Sequence, residues 1–461
     1  MKKNTNIDWL DKYANYLPRL ICSTNLNVLK SHSGDKWFAE KNPQLVITPR
    51  TTTDVQKALL FASKFNVPVT ARGAGFGYVG GCVPARGGIV LAMSRMNRII
   101  EVSTQDGIAI VEPGVITGDL QKAAQKVNWF YPPDPASLKD CSIGGNIATN
   151  AGGPRCLKYG VTKHYVLGLQ VVLADGSVIQ TGGRCHKNKT GFGLTELFVG
   201  SEGMLGVVTQ ATLRLIPHPP ERATITAGFQ RLDLALAAVD SILNSGVLPA
   251  ALEIADAFTI NAAKSFLPKA AITNADGFIL VEVDGDRASV RSQTNTIKNI
   301  LLKHRGFNLN VGFGDKACED QWMMRRQFSE GLKAMGLTKL NEDVVVPRSK
   351  LADLFKLSKK LSLKYGFPIA SFGHAGDGNI HLNLMIDRSK PGQEKRSVRA
   401  LDDLFKEVLH LGGALTGEHG IGLAKMKWWP KAASRNLIQT HTKIKHALDP
   451  LNILNPGKFL G

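Results

Sequence analysis

The sequence predicts an α+β protein of two domains, and three observations carry that expectation. The chain is 461 residues long, which at roughly 150 residues per domain allows two or three domains with self-sufficient cores. Strand-like and helix-like periodicities alternate on both sides of a proline cluster, Pro217, Pro219 and Pro220, which reads as the main boundary. Glycine is abundant, at 46 residues, and three loops rich in it fall in the first half.

Residues 1–40 read as a helical lead-in with Trp9, Leu10, Tyr13, Leu17 and Leu20 on the apolar side. The first domain is placed at 41–217. There Val55, Ala58, Leu59, Ala62 and Phe65 fall at helical spacing, with Asp54 near the helix start. Strands follow at 67–71, 89–93, 99–102 and 108–111, then a helix at 118–127 and a hairpin turning at Asp175-Gly176. Residues 207–216 alternate like a half-buried strand and end at Pro217. The second domain, 218–461, opens with a strand at 223–229 and a helix at 232–243. Strands at 251–254 and 278–283 and a helix at 288–303 come next. That order predicts a largely antiparallel sheet with helices on one face. A helix at 351–364, a polar loop at 371–381 and helices at 399–411 and 430–447 complete it, the last returning to the first domain.

Composition narrows the function classes. Hydrophobic residues make up 43% and charged ones 21%, an ordinary globular balance that argues against a disordered or fibrous chain. No run of about 18 uncharged apolar residues exists, so a membrane-spanning helix is excluded. The start, Met1 to Asp8, lacks the apolar core of a secretory signal, and its early acid fits a transit peptide poorly, so a cytoplasmic location is expected. The six cysteines, Cys22, Cys82, Cys141, Cys156, Cys185 and Cys318, form no CxxC pair. Reduced thiols follow, and a cysteine-held zinc or iron–sulfur cluster does not. The 57 Lys and Arg against 38 Asp and Glu give a net charge of +19, suited to nucleic acid, an anionic membrane face or an acidic substrate. No helix-turn-helix, zinc-finger or RNP motif accompanies it, so nucleic acid is set aside.

Arg72-Gly73-Ala74-Gly75-Phe76-Gly77-Tyr78-Val79-Gly80-Gly81 directly follows a predicted strand. Alternating glycines let backbone N–H groups turn inward and approach a ligand closely, which suits a pyrophosphate. The loop is neither a Walker motif nor a clear Rossmann fingerprint. A second cluster runs over residues 141–153 and a third is Gly200-Ser201-Glu202-Gly203-Met204-Leu205-Gly206, with the rigid turn Tyr131-Pro132-Pro133-Asp134-Pro135 before them. Three such loops imply a long, flat, phosphate-bearing ligand of dinucleotide type.

These blocks and their spacing resemble the FAD-binding domain of the vanillyl-alcohol-oxidase/p-cresol-methylhydroxylase (PCMH-type) superfamily. More narrowly they resemble the group of glycolate-oxidase FAD subunits, D-lactate dehydrogenases and D-2-hydroxyglutarate dehydrogenases. The likeness runs from about Pro43 to the C-terminus. It includes the closing block Asp449-Pro450-Leu451-Asn452-Ile453-Leu454-Asn455-Pro456-Gly457-Lys458-Phe459, whose Asn455 matches an asparagine that approaches the flavin. The resemblance implies that Arg72, Gly73, Ala74, Gly75, Phe76, Gly77 and Tyr78 cradle the pyrophosphate. It implies also that Pro133, Ser142, Gly145, Asn146, Ala148, Gly152, Tyr159, Glu202 and Val207 line the flavin or its ribityl chain. Residues 72–81 contain no histidine, so FAD is expected to be noncovalent.

The richest polar stretch is Phe372-Gly373-His374-Ala375-Gly376-Asp377-Gly378-Asn379-Ile380-His381, and Thr416-Gly417-Glu418-His419-Gly420 comes later. If the first stretch folds back between two strands, both histidines face one point. Two imidazoles and a carboxylate can hold a divalent metal with positions open for substrate, or can hydrogen-bond within a polar core. The resemblance implies His374, His381 and Glu418 as ligands of a divalent metal (zinc or manganese) and His419 as the base, with Asp377 and Asn379 orienting the loop. Arg325 and Ser329, four apart, share a face if helical, and an arginine fork suits a carboxylate. The resemblance implies that this pair holds the substrate carboxylate. A family lysine is replaced at the matching position by Asn341, the remaining substrate-binding candidate, with Lys339 two residues earlier.

The expected activity is oxidation of a small anionic D-2-hydroxy acid, of glycolate or D-lactate type, by an FAD-dependent dehydrogenase. Metal-assisted deprotonation and hydride transfer to flavin N5 complete it, with electrons leaving to an external iron–sulfur subunit, quinone or electron-transfer flavoprotein. D-2-Hydroxyglutarate oxidation, oxidation of an unrelated alcohol, and a non-catalytic basic binding subunit stand as alternatives. Peripheral contact with the inner membrane face and a homodimer are left open.

Overall fold

The computed structural model describes residues 9–17, 21–266 and 274–460. The expectations for Met1 to Asp8 and for Leu20 lie outside the described residues. The chain divides into two compact units. The first comprises residues 1–153, 161–218 and 418–461, and the second residues 154–160 and 219–417.

In the first unit the described residues of the lead-in include two short helices, Tyr13–Tyr16 and Leu26–Ser31. Tyr16 packs against Phe61 and Phe65, and Trp9 meets Phe61 edge-on at 6.2 Å. A four-stranded sheet holds β1 (Cys22–Ser23), β2 (Leu45–Ile47), β3 (Val69–Arg72) and β4 (Ile89–Ala92) in the order β1-β2-β4-β3. Helix α1 (Thr52–Phe65) starts at a capping box, in which Thr51 and Asp54 satisfy each other's backbone N–H. It buries Val55, Ala58, Leu59, Phe61 and Ala62 in one core with Leu45, Ile47, Val69, Ile89 and Leu91.

Next come β5 (Ile99–Ser103), β6 (Ile108–Val111), β7 (Trp129–Phe130), β8 (Val166–Val172), β9 (Val178–Gly182), β10 (Val207–Arg214) and β11 (Ile216–Pro217). Five of them form an antiparallel sheet ordered β5-β6-β10-β8-β9, while β7 and β11 pair separately. The expected strand over 207–216 therefore ends at Arg214, and Ile216–Pro217 turns to pair with Trp129–Phe130. Helix α2 (Ile143–Thr149) is capped by Ser142.

The second unit is built on an antiparallel sheet of β12 (Glu221–Phe229), β13 (Ala251–Asp256), β14 (Gly277–Gly285), β15 (Phe307–Phe313), β16 (Thr338–Val345), β17 (Ile369–His374) and β18 (Asn379–Ile386). Their order is β15-β12-β14-β13-β17-β18-β16. Its helices are α3 (Leu232–Leu243), α4 (Ala257–Ala263), α5 (Arg287–Lys303), α6 (Gly314–Ala334), α7 (Leu351–Tyr365) and α8 (Gln393–His410). They cover both faces, not the single face expected. On one side Trp322, Phe328 and Leu332 of α6 and Ile260 of α4 pack on Phe278, Leu280, Phe372 and Met385. On the other, Ser358 of α7 bonds Ser371, which points away from Phe372 across the pleat. Each large side chain buried this way contributes about 1.5–3 kcal/mol. Full burial on both faces leaves little alternation for the sequence to show.

Candidate functional site

In the first unit, three glycine-rich segments meet. β3 ends at Arg72, and the chain then runs against the start of α2. Ala74 N and Gly145 N both donate to Ser142 Oγ, at 3.2 and 3.3 Å. A side chain at Gly73 would sit 2.3 Å from that oxygen, and Gly75 has φ +76°, so both positions demand glycine. The third segment closes on α2, with Gly200 N donating to Ile147 O and Glu202 N to Ala148 O, each at 2.8 Å. Asn146, buried, donates to Thr117 Oγ1 at 2.7 Å, and Pro133 O accepts from Gln121. Arg72 donates to Cys82 Sγ at 3.1 Å and to Gly34 O. Lys36 N donates to Gly77 O, while its ammonium covers the Phe76 ring at 4.5 Å. Gly152 follows α2 and Val207 opens β10 in the core.

The C-terminal tail joins this cradle. Asn455 N donates to Val69 O, and its side chain donates to Gly81 O and Glu202 O at 3.0 and 2.7 Å. Its Oδ1 is buried with no hydrogen-bond partner among the described residues, an acceptor positioned for a donor that those residues do not supply. Glu202, one of the residues expected to line the flavin, has a buried carboxylate that accepts from Ile421 N and Gly422 N at 2.7 and 2.8 Å. Burial pushes that carboxyl up, against those two donors. Val79 O accepts from Leu423 N and Ala424 N, and the Tyr78 ring stacks on His419 at 5.4 Å. The segment carrying His419 is thereby tied to the first glycine loop and to the Ser201-Glu202-Gly203 turn. Tyr159 belongs to the second unit, where its hydroxyl donates to Asp284 at 2.7 Å.

The second unit brings together most of the other predicted residues. β17 and β18 form a hairpin across residues 375–378, pairing Phe372 with His381 and His374 with Asn379. Both histidines are buried, and their rings lie edge to face at 5.5 Å. Asp377 accepts from Asn379 N, and Asn379 Nδ2 donates to Asp343 Oδ1 at 2.6 Å. Asp343 Oδ2 takes Thr416 Oγ1 and Gly417 N at 2.7 and 2.9 Å, fixing the backbone up to the residue before Glu418.

Arg325 lies in α6 with its guanidinium 4.6 Å from the Phe372 ring centre. Ser329, one turn on, accepts from Lys339 Nζ at 2.9 Å. Burial pulls the Lys339 ammonium down to about 8, helped by Lys333 and opposed by Glu330. Asn341 pairs with Asn383 across β16 and β18, and the Oδ1 of each is buried with no hydrogen-bond partner among the described residues.

Glu253 and Glu282 are among the buried carboxylates that were not anticipated. Glu253 of β13 is fully buried, accepting from His374 Nδ1 at 2.5 Å through Oε1 and from Arg325 Nε at 2.7 Å through Oε2. Its burial alone would raise the carboxyl, but His374 and Arg325 outweigh that and hold it at about 2. Glu282 of β14 takes Arg155, Arg222 and Trp322 Nε1 at 2.8, 3.2 and 2.7 Å. The sequence signal for both is an acid flanked on each side by an apolar residue within a strand, Leu252-Glu253-Ile254 and Val281-Glu282-Val283.

With this geometry in hand, comparison with known proteins is informative. Residues 218–459 match the model of the C-terminal domain of FAD linked oxidases, and residues 43–182 match an FAD binding domain. The chain belongs to the FAD-linked oxidases. It is 38% identical over 417 residues to glycolate oxidase subunit GlcD of Bacillus subtilis (strain 168), covering 90% of this chain and 89% of that one. It is 30% identical to a D-lactate dehydrogenase of Anaerostipes hadrus, covering 98% and 97%. The fold matches 4-ethylphenol oxidase from Gulosibacter chungangensis with a TM-score of 0.80 at 19% identity, over 100% of this chain and 98% of that one. This FAD-linked oxidoreductase thus has the PCMH-like fold. Its glycine cradle and the unmatched Asn455 Oδ1 fit FAD. Among the described residues no helix is long and apolar enough to cross a membrane.

Proposed function

We propose that this FAD-linked oxidase oxidises a D-2-hydroxy acid of glycolate or D-lactate type to the 2-oxo acid. The observation that supports it most is the buried arrangement in which Glu253 joins Arg325, a group suited to a carboxylate, to His374, a group suited to a metal. The relatives named glycolate oxidase and D-lactate dehydrogenase agree with that reaction class. FAD is noncovalent in this reading, since residues 72–81 carry no histidine.

When bound, FAD supplies an acceptor for a hydride, and a divalent cation such as zinc or manganese supplies Lewis acidity. His374, His381 and Glu418 are the proposed metal ligands, each offering one ligand atom. Arg325 and Ser329 hold the substrate carboxylate, the guanidinium through N–H groups that Glu253 leaves free. His419 accepts the substrate hydroxyl proton at its imidazole, held in place by Tyr78 stacking and by the Glu202 tether that follows it. Electrons then leave to an external acceptor, an iron–sulfur subunit, a quinone or an electron-transfer flavoprotein. The net charge of +19 suits an acidic protein partner.

One observation favours a second reading within the same chemistry. Lys339, half-buried beside Ser329, retains a cation that a dicarboxylic 2-hydroxy acid could use. Steady-state reduction of an artificial dye acceptor separates the cases. Turnover with glycolate or D-lactate and little with L-lactate supports the first reading, and preference for D-malate or D-2-hydroxyglutarate supports the second. Turnover of neutral alcohols alone contradicts both.

A further inference from the structure

Glu253 lies on β13, and its single carboxylate reaches both an arginine and a histidine of the site. Its two oxygens are divided: Oε1 takes His374 Nδ1 at 2.5 Å, and Oε2 takes Arg325 Nε and Nη2, both at 2.7 Å. Pairing on the sheet sets this up, because Glu253 is the direct cross-strand partner of His374. Arg325 is delivered from α6, and Phe372 stacks under its guanidinium.

We infer that Glu253 is the positioning residue that makes metal affinity and carboxylate recognition depend on one side chain. The inference rests on the reading above, in which His374 holds a metal and Arg325 the substrate. An ionised carboxylate can only accept, so His374 must carry its proton on Nδ1. Nε2 is then left with its lone pair, the tautomer a metal requires, and the ring cannot turn without losing the bond. The same carboxylate occupies one edge of the guanidinium and leaves the other N–H groups in a fixed direction.

Glu253→Gln separates this role from simple structural support. The amide keeps the shape but offers one acceptor and one donor, so it cannot accept from both partners and must point N–H at one of them. Zinc affinity, measured on the FAD-loaded full chain by equilibrium dialysis, is expected to fall tenfold or more. The KM for D-lactate is expected to rise at least tenfold, while the KM for neutral D-lactamide rises clearly less. A merely structural role would lower the melting temperature and leave the zinc Kd and the acid-to-amide KM ratio where they were. That result, with both within twofold of wild type, overturns the inference. If Glu253→Gln does not fold, Glu253→Asp, too short to reach both partners, is read by the same two quantities. A wild-type protein that binds no zinc contradicts the functional reading itself. Wild-type and variant proteins that bind zinc equally contradict only the role of Glu253.

Discussion

Lys339 shows how one residue can adjust a site without changing its fold. The sequence places Asn341 where a lysine would match the family pattern. Because side chains alternate along β16, Lys339 two residues earlier lies on the same face, and its long stem carries the ammonium to Ser329. Burial lowers that ammonium to about 8, so it is charged below pH 8 and progressively neutral above. An anionic substrate should bind more weakly as the pH rises through that value. The expected result is a KM for the acid that climbs between pH 7 and 9. Lys339→Met should raise the KM about tenfold at pH 7, as expected for losing a charge-assisted hydrogen bond, and should flatten the pH dependence. Unchanged KM in that variant would place Lys339 outside substrate recognition. His374, His381, Arg325 and Ser329 stand out in the sequence because their types and spacings carry chemistry, and the structure buries the two histidines and the arginine. Glu253 was not, because a lone glutamate between leucine and isoleucine gives no hint of which two strangers it will join.

At the scale of elements, legibility followed burial. Helix α1 announced itself by apolar spacing and by Asp54 near its start, both local signals, and the structure adds Thr51 as the other half of a capping box. Strand β16 did not, since Lys339, Asn341 and Asp343 give its inner face the look of a loop, although Asp343 is fully buried among partners. The segment 154–160 was equally hidden. It directly follows the glycine cluster of residues 141–153, and Arg155, Lys158 and Tyr159 fasten it to Glu282 and Asp284 of β14. Those acids are two apart and so share a face. Removing one member of a buried ion-pair network leaves the others desolvated and unpaired, at a cost of about 3–5 kcal/mol. Glu282→Ala should therefore lower the unfolding midpoint of the second unit by several degrees in calorimetry. A midpoint unchanged within a degree would show that Arg155, Arg222 and Trp322 find other partners.

For the whole molecule, the fold class was the most legible feature, because glycine clusters, proline punctuation and strand–helix alternation agree with one another. The arrangement of the second sheet was less so, its helices lying on both faces where one was expected. The functional account combines a flavin cradle in one unit with a buried cation-and-histidine site in the other, joined along the chain at Gly417 and Glu418. Its central claim is metal-dependent oxidation of a D-2-hydroxy acid by bound FAD. An anaerobic titration of the purified yellow protein with D- and L-2-hydroxy acids, before and after a chelator, tests this most directly. The account predicts bleaching of the flavin by a D-acid, lost on chelation and restored by zinc or manganese. Flavin that no 2-hydroxy acid bleaches, or bleaching indifferent to the chelator, would contradict it.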